Sequence, residues 1–141
     1  MRLRVRWPWV AVVALGARVI VLTPKDTQTS WARILYVAAL ATLALWALVQ
    51  TPAIPRMWIV SVGVFLNLVV IAANAGRMPV DPRFVNGAIQ GPYVSFHDPS
   101  AYLIWLGDGI SLFGLVYSAG DLITMAGLAI VSYEIVRLRD V

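Results

Sequence analysis

The chain has 141 residues, of which 60% are hydrophobic and 13% charged, and its mean hydropathy is +0.80. Soluble domains contain about 45–50% apolar and about 25% charged residues, so this composition excludes a disordered chain and argues against an ordinary soluble domain. The net charge is +4, and the absence of cysteine excludes disulfides, thiolate metal sites and cysteine nucleophiles. At about 20 residues per span, the length accommodates four membrane-spanning helices.

The first three predicted spans cover residues 8–23, 31–49 and 57–74. Pro8 suits the first turn of a helix, and Pro24 stops the first span. Basic residues before an apolar run also resemble a signal peptide, but we expect this segment to be kept as an uncleaved span. The short turn between the second and third spans requires them to be antiparallel neighbours.

The segment 75–101 contains four prolines and predicts an ordered polar loop without a long helix. The fourth predicted span covers 113–133, and residues 103–112 are either the start of that helix or a re-entrant piece. All six tryptophans fall near predicted span ends, as in an aromatic belt. The predicted fold class is therefore an all-α integral membrane bundle of four transmembrane helices, with a polar loop between the third and fourth.

The distribution of basic residues predicts the orientation of this bundle. The side with both termini and the 50–56 turn carries six of them, Arg2, Arg4, Arg6, Arg56, Arg137 and Arg139. The other side carries four, Lys25, Arg33, Arg77 and Arg83. Because cytoplasmic loops are enriched in Lys and Arg, we expect a multi-pass protein of the inner membrane with both termini in the cytoplasm.

Polar residues within the predicted spans form the candidate site: Arg18, Asn67, Asn74, Ser118 and Asp121. Such residues are costly in lipid and usually face the interior of a bundle. Asn67 and Asn74 share one face of the third span with Gly63, while Ser118 and Asp121 share one face of the fourth. We expect these faces to pack together, with Arg18 or an asparagine within hydrogen-bond reach of Asp121.

Three interpretations of this cluster remain open: polar contacts that only hold helices together, a site for a ligand or lipid, and hydrolytic chemistry. The pattern predicts no cofactor and no metal, because the single histidine, His97, cannot form a His-rich site. The expected partners are membrane lipid and other membrane subunits, and no nucleic acid. Arginines beside Trp7 and Trp9 are better explained as anchors to anionic lipid.

Two resemblances add to this interpretation. Asn74-Ala75-Gly76-Arg77-Met78-Pro79-Val80, together with Ser118-Ala119-Gly120-Asp121, resembles a bacterial family of multi-span membrane proteins of unknown function, over roughly residues 10–135. That resemblance implies a membrane fold and no particular activity. We therefore expect a small structural or accessory membrane protein, with a subunit of a larger complex as one form of it.

The second resemblance is to the lipoprotein signal peptidases, which are four-span aspartyl proteases. Tyr117-Ser118-Ala119-Gly120-Asp121, with Gly127 later, is similar to the start of their last span. The resemblance implies an aspartate-dependent hydrolase with Asp121 as one catalytic carboxylate and Asp108 or Asp98 as the other. The chain departs from that family after Asn74, where Arg77 stands and the expected aspartate is missing.

Overall fold

The computed structural model of the protein describes residues 5–21, 30–85 and 93–137. Within these ranges lie four α-helices, α1 (Pro8–Val21), α2 (Ser30–Gln50), α3 (Met57–Ala73) and α4 (Ala119–Arg137). The same ranges hold four short strands, β1 (Met78–Val80), β2 (Tyr93–Ser95), β3 (Ile110–Leu112) and β4 (Leu115–Tyr117). The protein is therefore mostly helical, and the strands are a departure from the all-α prediction.

The bounds of the first three helices agree closely with those of the predicted spans. α1 begins at Pro8, and the predicted end of that span at residue 23 lies outside the described residues. α2 is one residue longer at each end than the predicted 31–49. α3 ends at Ala73, one residue earlier than predicted, because Asn74 caps it.

Consecutive helices pack against one another in an antiparallel arrangement, α1 on α2, α2 on α3 and α3 on α4. At the end of α2, the fully buried Gln50 side chain donates to the carbonyl of Arg6 (2.8 Å) and accepts from its N–H (2.9 Å). Arg56, just before α3, forms an ion pair with Glu134 near the end of α4. The starts of α1 and α3 therefore lie at the same end of the bundle as the ends of α2 and α4.

Two apolar cores fill the two ends of this bundle. The core at the end where α3 terminates combines residues of α2, α3 and β1, namely Ala32, Tyr36, Leu40, Val70, Ile71 and Met78. The other core combines α2, the 51–56 turn, α3 and α4 through Ala47, Ile54, Met57, Val60 and Val131. Each helix thus buries only one face, and large apolar side chains on the outer faces stay exposed.

The prediction that the fourth helix begins at residue 113 is wrong. Residues 110–117 form a β-hairpin, in which β3 pairs antiparallel with β4 and Leu112 faces Leu115. The two turn residues, Phe113 and Gly114, both have positive φ (52° and 77°), as in a type I′ hairpin turn. The helix begins only at Ala119. Residues 103–112 hold one 3-10 turn (Ile104–Leu106) and β3.

The loop after α3 is ordered by backbone pairing around β1. β1 pairs in parallel with β2, with Pro79 opposite Val94. On the other side of β1, the N–H of Asp108 donates to the carbonyl of Pro79 (2.8 Å). Apart from one 3-10 turn (Pro82–Phe84), the described residues of this loop contain no helix. Residues 86–92 lie outside the described ranges, and for the rest the predicted lack of a long helix is confirmed.

Candidate functional site

The close approach of α3 and α4 creates the site. A Cβ atom placed on Gly120 would lie 2.6 Å from the carbonyl oxygen of Gly63, well inside van der Waals contact. Two helical turns further along α4, a Cβ on Gly127 would lie 2.9 Å from the backbone nitrogen of Val60. Only glycine allows the two backbones to pack so tightly at these positions, as in small-residue helix interfaces.

A three-residue polar cluster of Asn67, Ser118 and Asp121 joins the two helices beside this contact. Asn67 Nδ2 donates to Asp121 Oδ1 (2.8 Å), and the hydroxyl of the fully buried Ser118 donates to Asn67 Oδ1 (2.8 Å). Both polar atoms of the buried Asn67 amide are therefore used. The prediction that Asn67 faces the bundle and bonds to the fourth helix is confirmed.

Within this cluster, Ser118 and Asp121 form a capping box at the start of α4. The N–H of Asp121 donates to Ser118 Oγ (3.0 Å), and the N–H of Ser118 donates to Asp121 Oδ2 (3.2 Å). Two free N–H groups of the helix terminus are satisfied reciprocally, and the carboxylate lies at the positive end of the helix dipole. Asp121 is thus in the first turn of α4, whereas the predicted span 113–133 would place it further inside the helix.

Arg18 and Asn74 complete the list of predicted site residues, and only Arg18 lies with the cluster. Arg18 lines the same cavity as Asn67 and Asp121, but no ion pair joins it to Asp121 in the described part of the chain. Asn74 is separate. It donates to the carbonyls of Val70 (2.7 Å) and Tyr102 (2.9 Å) and accepts from the N–H of Tyr102 (2.8 Å). It therefore ends α3 and holds the loop in place.

A cavity of about 370 Å³ opens beside the cluster. Its charged side chains are Arg18, Asp108 and Asp121. The rest of its wall comes from α2, α3, α4, the loop and the hairpin, and includes Tyr36, Leu40, Ile71, Met78, Tyr93, Leu115, Val116, Tyr117, Thr124 and Met125. The three ionisable side chains thus come from three separate parts of the sequence.

Asp108 reaches this cavity because its backbone pairs with β1. Its N–H bonds to Pro79 and its carbonyl accepts from the N–H of Asp81 (2.9 Å), so the residue is fixed on both sides. Gly107 makes the approach possible, since a Cβ there would lie 2.5 Å from the carbonyl oxygen of Pro79. Burial raises the pKa of the Asp108 carboxyl to about 7, with a further contribution from the charge of Asp121 and an opposing one from Arg18.

The tyrosines of the cavity are residues that sequence reasoning missed. Tyr93 lies on β2, where burial first and the neighbouring Asp108 charge second raise its pKa above the usual value. Tyr36 lies on α2, almost completely buried beside Arg18. No local signal identifies either one, because only the packing of distant segments brings them to one wall.

The described residues contain no group of three or more His, Cys, Asp or Glu side chains that could hold a metal ion. His97 lies exposed in the loop, where its N–H bonds to Ser95 Oγ (3.1 Å). Asp98 lies in the same loop and accepts two bonds from Ser100, away from the cavity. Of the two acids considered as a partner for Asp121, only Asp108 lines the same cavity.

Comparison with known proteins places the chain in a family but assigns no activity. A family profile described as "Family of unknown function (DUF5317)" matches residues 2–133, so the chain belongs to that family. No curated protein and no solved structure matches it. Within the described ranges, two helices, α2 and α4, are long and apolar enough to cross a membrane, which gives limited support for association with one.

Proposed function

We propose that the chain is a small integral membrane protein of structural or accessory type, whose four helices all cross the bilayer. The observation that carries the proposal is the exposure of its apolar side chains. Only 33% of the most apolar stretch of α2 and 17% of that of α4 are buried, whereas the core helix of a soluble domain is mostly buried. A soluble protein rarely exposes continuous apolar patches larger than a few hundred square ångströms.

The positions of the tryptophans support the same arrangement. Trp7 and Trp58, which are 58% and 50% exposed, lie at the end of the bundle where α1 and α3 begin. Trp31 and Trp105, which are 55% and 74% exposed, lie at the opposite end. Two such groups are expected where helices cross both membrane–water interfaces.

The Asn67–Ser118–Asp121 cluster supports a structural role for the polar groups. Each oxygen of Asp121 accepts a hydrogen bond, and Asn67 bridges the carboxylate and the Ser118 hydroxyl. In a bilayer, a polar group without such partners would be costly. The cluster therefore fixes the contact between α3 and α4 without requiring a reaction.

Cysteine labelling tests the proposal, because the natural chain has no cysteine. Pro55→Cys lies in the turn between α2 and α3, and His97→Cys lies in the loop at the other end. In intact cells, we expect an impermeant maleimide to label His97→Cys at once and Pro55→Cys only after permeabilisation. Labelling of both from one side, or release of the chain from membranes by alkaline carbonate, would contradict four spans.

The second candidate function is an aspartate-dependent hydrolase related in mechanism to the lipoprotein signal peptidases. The observation that favours it is that Asp108 and Asp121 line one cavity, with the Asp108 pKa raised to about 7. A carboxyl whose pKa lies near the working pH is suited to general acid–base catalysis. Asp108 would hold the proton and act as the acid.

Hydrolysis of a synthetic diacylglycerol-modified peptide by the purified chain tests this second candidate. Asp108→Asn should lower the rate by about 10²–10⁴-fold, the usual contribution of a general acid or base. Asp98→Asn is the matched control, because that carboxylate lies outside the cavity and should leave the rate unchanged. Equal rates in the natural chain and Asp108→Asn would exclude the mechanism.

A further inference from the structure

The cavity beside the Asn67–Ser118–Asp121 cluster has a polar interior and an apolar mouth. Arg18, Asp108 and Asp121 supply both signs of charge inside. Leu115 and Met125 also line it, yet they are 60% and 51% exposed, so they form its rim toward the outer surface. A ligand that fits both parts has a charged head and an apolar tail.

Asp108 provides an acceptor that no described residue satisfies. Its Oδ1 atom is buried and has no hydrogen-bond partner within the described ranges. A buried acceptor left without a donor is unfavourable, and a charged donor is its strongest partner. Asp121 adds a second carboxylate, and Tyr93 and Tyr117 add aromatic rings that attract cations. These groups together favour a primary ammonium, which carries both the charge and the N–H donors.

Arg18 supplies the opposite charge in the same cavity. It lies beside Tyr36 on the α1 and α2 side, whereas Asp121 lies on α4. A guanidinium presents a planar set of donors that matches the oxygens of a phosphate. The cavity therefore carries one recognition group for a phosphate and two for an ammonium.

We propose that this cavity binds the zwitterionic headgroup of an amine-bearing phospholipid, with the ammonium at Asp108 and Asp121 and the phosphate at Arg18. The inference rests on the membrane location proposed above. A free phosphorylated amine has the same head chemistry, but it would leave Leu115 and Met125 without an apolar partner. The rim therefore favours the lipid as the source.

Native mass spectrometry of the full-length chain in mild detergent tests the proposal, with phosphatidylethanolamine, phosphatidylcholine and phosphatidylglycerol as probes. A quaternary ammonium has no N–H to donate to Asp108, so we expect phosphatidylethanolamine to bind at least about tenfold more tightly than phosphatidylcholine. Phosphatidylglycerol, which has no cation, should bind more weakly still. Equal affinity for the three lipids would overturn the proposal, and this comparison requires no variant.

Two substitutions and a control then locate the site. Asp108→Asn should weaken phosphatidylethanolamine binding at least about tenfold and remove the preference over phosphatidylcholine, because it loses the charge-assisted bond. Arg18→Gln should weaken the binding of all three phospholipids. Asp98→Asn should change nothing, since its carboxylate is bonded to Ser100 outside the cavity. An unchanged lipid preference in Asp108→Asn would show that the lipid binds elsewhere.

Competition with phosphoethanolamine distinguishes the two sources of the headgroup. If a large excess leaves phosphatidylethanolamine bound, the lipid is the ligand, as proposed. If free phosphoethanolamine displaces the lipid at concentrations near its own Kd, the cavity recognises the ammonium and phosphate groups, but the proposal that a lipid is the ligand is wrong. Cysteine labelling tests the membrane topology separately from lipid binding. A chain that spans the membrane but shows no lipid preference would contradict the lipid-binding proposal and leave the proposed function standing.

Discussion

Asp108→Asn is expected to remove a pH dependence from the stability of the fold. The pKa of Asp108 is about 7 in the folded protein and near 3.8 in an unfolded chain. Between these values the folded state keeps a proton that the unfolded state has lost. The free energy of unfolding therefore falls as the pH rises from about 4 to about 7, and stays lower above that range.

The size of the effect follows from the shift. At about 1.4 kcal/mol per pKa unit, a shift of about three units corresponds to at most about 4 kcal/mol. Asp108 is only partly buried, and solvent screens its charge, so we expect about 2 kcal/mol. Because asparagine cannot ionise, the Asp108→Asn variant should not lose this free energy of unfolding as the pH rises. At about 2–4 °C per kcal/mol, Asp108→Asn should melt about 4–8 °C above the natural chain at pH 8 and close to it at pH 4.

Thermal unfolding in detergent, followed by circular dichroism at half-unit steps of pH, measures the difference. Arg18→Gln should move the midpoint of the pH dependence upward, because the Arg18 charge lowers the Asp108 pKa. Asp98→Asn is a control of opposite sign, since bonds from Ser100 lower the Asp98 pKa and its contribution is lost as the pH falls. A difference between Asp108→Asn and the natural chain that stays constant from pH 4 to pH 8 would refute the reasoning.

Two further predictions concern the contact between α3 and α4. Gly120→Ala should destabilise the protein by about 1–3 kcal/mol, because the new methyl would overpack the contact with α3. Gly16→Ala is the control: nothing lies within 4 Å of its new methyl, so it should be neutral or stabilising by up to about 1 kcal/mol. Chemical denaturation compares the two variants, and equal effects would contradict the close approach of α3 and α4. A double-mutant cycle of Asn67→Ala and Asp121→Asn should give a coupling energy of about 0.5–3 kcal/mol. This should exceed the coupling in the cycle of Arg18→Gln with Asp121→Asn, because Asn67 donates a hydrogen bond to the Asp121 carboxylate and, among the described residues, Arg18 forms no ion pair with it. The reverse order would make Arg18 the true partner.

The first three helices could be predicted because each is an apolar run with clear ends. Pro8 starts α1, and the 51–56 turn separates α2 from α3. The start of α4 could not be found from hydropathy, because the hairpin residues 110–117 are as apolar as a helix. The capping-box pattern from Ser118 to Asp121 was the local signal that would have placed it.

The candidate site was predictable where it depends on spacing along a helix. Asn67 lies one turn from Gly63, so the two residues share a face of α3. Asn67 bonds to Asp121, and Gly63 leaves room for the close approach of α4. Asn74 lies two turns beyond Asn67, but at the end of α3 its amide meets unpaired backbone carbonyls and the loop. Asp108 enters the cavity only through pairing with β1, and helical periodicity carries no information about that contact.

The two carboxylates of the cavity differ in how far they contribute to the fold, so substituting each one tests a different role of the site. Asp121 caps α4 and holds Asn67, so any substitution there disturbs the helix contact together with the cavity. The Asp108 side chain has a buried oxygen with no described partner, while its backbone alone secures the loop. Asparagine at Asp108 therefore keeps the pairing with β1 and changes only what the cavity presents to a ligand. If loss of function follows Asp108→Asn while the melting temperature rises, the polar groups serve binding or catalysis in addition to packing.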